Sequence, residues 1–116
     1  MKFSKTLETL ENGGMIKRQA WNKQTFVFMQ VPSVIPIETI PKMQSLPLSV
    51  KNEFVRRAKD EIEMVEATAH ILKTPAVTQH QSISYHNQLA IVLNDNTISS
   101  YSPSVADVLA DDWTII

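Results

Sequence analysis

Residues 89–101 read LAIVLNDNTISSY, and the fold class turns on this stretch. Two runs of strand-forming residues, Leu89 to Leu93 and Thr97 to Tyr101, flank Asn94-Asp95-Asn96. Asparagine and aspartate bond their own backbone in tight turns, so the segment reads as an antiparallel hairpin. Working outward, Ser82-Ile83-Ser84-Tyr85 reads as a strand before it and Thr114-Ile115-Ile116 as a strand at the end. Between hairpin and last strand, Ser102-Pro103 is expected to open a short helix, with serine as cap and proline at the first helical position. Val105, Val108 and Leu109 give that helix an apolar side. Trp113 is expected in the core, because the tail's apolar side must bury something large.

Upstream, Phe3, Leu7 and Leu10 recur at helical spacing, and Asn12-Gly13-Gly14 is a C-terminal stop, which predicts a helix over residues 4–12. Residues 15–18 and 26–31 read as strands rich in β-formers, with the turn 21–24 between them. Residues 32–47 hold four of the six prolines and are expected to run as an extended, packed loop, since proline removes an amide donor and constrains its neighbour. Ser49 is expected to cap a long helix. Val50, Phe54, Ala58, Ile62, Val65, Ala69 and Leu72 then form one continuous stripe, and Thr74-Pro75 ends it. The sum is an α+β fold: a small antiparallel sheet with an N-terminal helix, a longer middle helix and a short C-terminal helix.

At 116 residues the chain has room for one core, so a single domain over 1–116 is expected. Hydrophobic residues make up 43% and charged residues 20%, a globular balance. With no cysteine, disulfides, thiolate metal sites and thiol nucleophiles are excluded. No apolar run approaches the roughly 20 residues that cross a bilayer, and the first residues lack a signal-peptide core, so a soluble, cytoplasmic protein without membrane association is expected. The net charge of −1 is unevenly spread: residues 1–42 carry a surplus of three positive charges, and residues 74–116 have four aspartates and no Lys or Arg. No cluster of cations fits a nucleic-acid polymer, but one arginine and a helix start suffice for a small anion.

Several residues bear on chemistry. His70, His80 and His86 fit no metal-ligand spacing and read as surface or structurally bonded. Asp107, Asp111 and Asp112 fall within one helical segment, with Asp111 four residues after Asp107 and placed to share its face; they read either as a metal-binding carboxylate cluster or as solvated acids near a helix end. The only two glycines are adjacent, so no glycine-rich phosphate loop exists. Arg18-Gln19-Ala20-Trp21-Asn22 joins a cation, a flat ring and a carboxamide, a set that suits a nucleobase with its phosphate; equally, the tryptophan can plug the edge of the core. Tyr101 to Asp107 joins a ring, hydroxyls, helix-start amides and a carboxylate able to accept from ribose; equally, the serines and Asp107 can serve only as cap and solvated acid.

Two segments carry a family likeness. Phe3 to Leu10 followed by the glycines, then Arg18-x-x-Trp21-Asn22, then Phe26 to Val31 ahead of Pro32, form the first. The tail from Ser102 to Trp113, a serine, an aspartate, then Leu-Ala-acid-Asp-Trp, forms the second. The sequence resembles the phage anti-Thoeris family of the second type, first catalogued as a small phage and prophage domain of unknown function. The likeness covers residues 1–32 and 82–116, with 49–80 as a helical subgroup insertion. It implies a non-catalytic protein without cofactor that sequesters an immune signalling nucleotide. The implied ligand is a cyclic ADP-ribose isomer made by Thoeris TIR enzymes, with cyclic dinucleotides as a second class, and the implied assembly is a homotetramer with pockets at subunit boundaries. Carried over by motif, Arg18, Trp21 and Asn22 contact ligand, with Trp21 stacked on the base. Ser104 and Asp107 contact ribose or phosphate. Tyr101 stands where many relatives have tryptophan, and Tyr85 and Asn87 belong to the segment before the hairpin.

Two other functions compete with this one. A nucleotide-signal hydrolase or phosphodiesterase would draw on Asp107 and Asp111. A protein-interaction module would use the apolar stripe of the middle helix, which otherwise serves as core or subunit interface.

Overall fold

The computed structural model describes residues 1–72 and 78–116, without the side chains of residues 69–72. The expected helix stop at Thr74-Pro75, and the side chains of His70, Ala69 and Leu72, lie outside the described residues. Helices are α1 (Leu7–Glu11), α2 (Leu48–Leu72) and α3 (Val105–Leu109). Strands are β1 (Ile16–Arg18), β2 (Phe26–Gln30), β3 (Ser33–Pro36), β4 (Ser82–Tyr85), β5 (Gln88–Val92), β6 (Ile98–Ser100) and β7 (Trp113–Ile115). The fold is α+β, with a five-stranded antiparallel sheet in the order β6-β5-β2-β1-β7 and a separate β3-β4 pair. The chain divides into two compact units, Met1–Val31 with His86–Ile116, and Pro32–Tyr85.

In the first unit, the Asn94-Asp95-Asn96 turn closes the β5-β6 hairpin. Asn96 donates to the Leu93 carbonyl and adopts a φ of 65°, a left-handed conformation that asparagine tolerates. Phe3–Thr6 forms a 3₁₀ turn that leads directly into α1. Helix α1 ends in a double reverse bond, Gly14 N–H to Thr9 and Gly13 N–H to Leu10, with Gly13 at φ 86°. A side chain at Gly14 would collide with Thr9.

Because side chains alternate across a strand, Ile16, Val27, Met29, Leu89 and Ile91 share one face of the sheet. There they meet Phe3, Leu10 and Trp113, and Ile16, Val27 and Trp113 are fully buried. The last strand pairs in register with β1, Arg18 opposite Trp113, and Trp113 N–H donates to the Met1 carbonyl beyond it. Lys2 Nζ closes the end of α3 through the Leu109 carbonyl at 3.2 Å.

In the second unit, residues 33–42 depart from the expected loop. Ser33–Pro36 pairs with β4 in a two-stranded ladder, and Ile37–Lys42 is a 3₁₀ helix that contains Pro41. Proline is admitted here because a two-stranded pair has free edges, so a missing donor need not break the ladder. Among the described residues, Ile40 of the 3₁₀ helix, Ala58 of α2 and Ile83 of β4 are the buried apolar residues of this unit. Helix α2 starts one residue before the expected cap. Val50 and Lys51 N–H both bond the Pro47 carbonyl, which leaves Ser49 inside the first turn. Of its stripe, Ala58 is buried, Phe54 and Val65 are half-buried, and Val50 and Ile62 stay exposed. Glu61 receives the backbone N–H groups of Gln79 and His80 and the side-chain amide of Gln81, so this carboxylate ties the segment leading to β4 onto α2.

Ile16→Ala is expected to cost about 2–5 kcal/mol, because a fully buried side chain leaves a cavity. Ile98→Ala, on the edge strand and 63% exposed, is expected to cost less than about 1 kcal/mol. Urea denaturation of the two variants checks the contrast.

Candidate functional site

The first unit gathers the motif residues at one rim of its core. Arg18 ends β1, and its guanidinium is shared by two carboxylates: Nε donates to Asp112 Oδ1 at 2.8 Å and Nη1 donates to Asp107 Oδ1 at 3.0 Å. The other oxygen of Asp107 accepts from the Tyr101 hydroxyl at 2.8 Å. The other oxygen of Asp112 accepts from the Ala20 N–H at 3.3 Å. All three charged side chains are partly enclosed, with 24% exposure for Arg18, 18% for Asp107 and 28% for Asp112. At that depth an unpaired charge is costly, so their mutual pairing is what permits them to stand here.

Local sequence explains how Asp107 gets there. Ser104, not Ser102, caps α3: its Oγ accepts from the Asp107 N–H at 3.1 Å. The expectation weighted proline at the first helical position. The stronger signal is the Ser104-x-x-Asp107 spacing of a helix start, with the acid three residues after its cap and close to the free N–H groups. The Asp107 carbonyl in turn accepts the Trp113 indole N–H at 2.7 Å, which binds α3 to the buried ring.

The aromatic rings form a chain. Trp21 is half-buried and meets Tyr101 edge-to-face at 5.9 Å and Trp113 at 5.2 Å, and Trp113 meets Phe3 at 5.2 Å. Trp21 is therefore both a rim ring and a plug packed against the core. Asn22 sits in the same turn, but its Oδ1 accepts from the Gln24 N–H at 2.8 Å, so the carboxamide oxygen closes the turn. Its backbone carbonyl accepts Lys17 Nζ.

Thus Arg18, Trp21, Tyr101, Ser104 and Asp107 lie in one bonded and packed cluster, with Asn22 in the adjoining turn. Asn87 is bonded elsewhere, with Nδ2 on the Met29 sulfur at 3.4 Å. Tyr85 belongs to the second unit, opposite Ser33 in the β3-β4 ladder. Asp112, the aspartate before Trp113 in the tail motif, joins the cluster although no ligand contact was expected of it. Its partner lies 94 residues away, so no local spacing reports the pair. Asp111 does not share the Asp107 face: α3 stops at Leu109, Ala110 is extended, and Asp111 is 80% exposed on Lys2. Among the described residues, no three His, Asp or Glu side chains are grouped to hold a metal ion. His80 Nδ1 lies 3.1 Å from Glu61 in the second unit, a structural contact.

The charges bias one another. Hydrogen bonds to Asp112 and Asp107 raise the Arg18 pKa. The Arg18 hydrogen bond holds Asp112 below the usual carboxylate range. Burial alone would push Asp107 up, but the bonds from Tyr101, Arg18 and Ser104 together leave it lowered. Burial and the Asp107 bond push the Tyr101 hydroxyl well up, so it stays a donor at neutral pH.

A family model described as Tad2-like, Thoeris anti-defense 2-like domain, matches residues 1–116. The protein is thus of an anti-defense class, and the chain belongs to the Tad2-like family. No curated protein matches the sequence.

Because both carboxyls are depressed in the folded state, they stabilise it above their unfolded pKa of about 4, and that contribution disappears as pH falls through the lowered values. Asp112→Asn is therefore expected to melt below wild type near pH 7, with the gap narrowing from about pH 4 downward. Thermal melts across that range check it; a gap that stays constant with pH contradicts the assignment.

Proposed function

We propose that this protein binds and sequesters cyclic nucleotide immune signals without converting them, cyclic ADP-ribose isomers of Thoeris first and cyclic dinucleotides as a second class. The observation that carries the reading is the cluster itself: a half-buried indole beside a phenol, a guanidinium, and a carboxylate set at a helix start. Each group matches one part of a nucleotide. The indole offers a stacking surface for the base. Asp107 accepts from Arg18 on one oxygen and from Tyr101 on the other, and a carboxylate has further lone pairs that can accept from ribose hydroxyls. Arg18 has five N–H groups, of which Nε–H and one on Nη1 are engaged, which leaves three as donors for an anion or a base edge.

Sequestration needs complementarity to the ground state of the ligand and no reacting group. The competing hydrolase reading drew on Asp107 with Asp111, and the structure separates that pair. Family membership supports an anti-defense role. The proposed assembly is a homotetramer, in which a second copy closes the rim over the ligand, and the proposed location is the cytoplasm of the infected bacterium. Residues 49–80 are proposed as an elaboration of this family's common domain. None of Arg18, Trp21, Tyr101, Ser104 and Asp107 falls in that stretch.

The protein is mixed with the product of a Thoeris TIR enzyme, freed of unbound ligand and heated. Release of intact ligand is expected; a degraded product contradicts sequestration. Trp21→Ala is expected to weaken retention roughly 10–100-fold, the worth of one base stacked on a ring. Isothermal titration of the two proteins reads the ratio.

A further inference from the structure

We infer that Asp112 is the positioning residue of this site, fixing both the Arg18 guanidinium and the turn that presents Trp21. The inference rests on the nucleotide-binding reading above and assigns a role to a residue that stands in the tail motif but to which the resemblance gave no contact.

Three acceptor atoms of Asp112 engage three consecutive residues. Oδ1 takes Arg18 Nε at 2.8 Å, the backbone carbonyl takes the Gln19 N–H at 3.0 Å, and Oδ2 takes the Ala20 N–H at 3.3 Å. Trp21 follows directly, and its own N–H bonds back to the Arg18 carbonyl at 3.1 Å. The segment from Arg18 to Trp21 is therefore a short loop wrapped around one carboxylate.

The guanidinium is gripped on two different nitrogens, Nε by Asp112 and Nη1 by Asp107. One grip alone would let a long side chain pivot; two grips fix the plane. A fixed plane aims the three remaining N–H groups before any ligand arrives, which lowers the ordering cost of binding. Asp112 is itself anchored, because Trp113, the next residue, is fully buried. Asp112 thus links the buried core to both the guanidinium and the turn that carries Trp21. Asp107 has different work, since its second oxygen holds Tyr101 and its backbone lies in α3.

The test uses the full chain and the product of a Thoeris TIR enzyme as probe, with Kd by titration calorimetry for wild type, Asp112→Asn, Arg18→Gln and the double variant. Asp112→Asn is expected to weaken binding at least tenfold while still melting cooperatively. If Asp112 acts through Arg18, the double variant binds within about threefold of Arg18→Gln alone, because the two changes remove one function. A purely structural residue would lower the melting temperature and leave Kd unmoved, or its loss would multiply with that of Arg18→Gln; either result overturns the inference. Should Asp112→Asn not fold, Asp112→Glu is read in its place. That change shifts the carboxylate by one methylene: a threefold or greater weakening upholds the role, and unchanged affinity overturns it. If wild type itself retains none of the probe, the nucleotide reading falls and the inference with it. If wild type binds and Asp112→Asn binds equally, only the inference falls.

Discussion

The guanidinium of Arg18 between the carboxylates of Asp107 and Asp112 is the interaction on which the rest of the first unit depends. It joins the end of β1, the first turn of α3 and the residue before β7, three places far apart in the chain. Two partly enclosed carboxylates without a cation would repel each other and lose hydration together. With the cation between them they hold a phenol, a loop and a helix start in one arrangement. The buried indole of Trp113 continues this order inward, through its N–H on the Asp107 carbonyl and its rings against Phe3 and Trp21.

What the sequence discloses follows how local each interaction is. The hairpin at Asn94-Asp95-Asn96, the glycine stop after α1 and the strands β1, β2, β4 and β5 all rest on residues within a few positions of one another. They were legible for that reason. The 33–36 strand was hidden because proline is a sound argument against a central strand and a poor one against an exposed two-stranded pair. The cap of α3 was misplaced by two residues because proline and the Ser-x-x-Asp spacing gave competing signals, and the side-chain bond decided for Ser104.

The site divides along the same line. Arg18, Trp21, Tyr101, Ser104 and Asp107 were marked by chemistry and by family likeness, and the fold brings them together. Asn22 was marked for a contact, but its oxygen serves the turn. Asp112 stood in the tail motif, but no contact was expected of it, because its partner Arg18 lies 94 residues away in the chain.

The charge balance of the cluster also bears on the ligand proposed for it. One cation against two anions leaves the cluster with a surplus negative charge, so under the proposed function its carboxylates suit hydroxyl or amine donors of the ligand and any phosphate falls to the N–H groups of Arg18. A nucleotide sugar has that mixture. The most direct measurement is nuclear magnetic resonance of the Arg18 Nε–H and the two indole N–H groups while the product of a Thoeris TIR enzyme is titrated in. The account predicts large shifts for Arg18 Nε–H and the Trp21 indole, with the buried Trp113 indole moving little. Saturating ligand that leaves both Arg18 and Trp21 unshifted would contradict it.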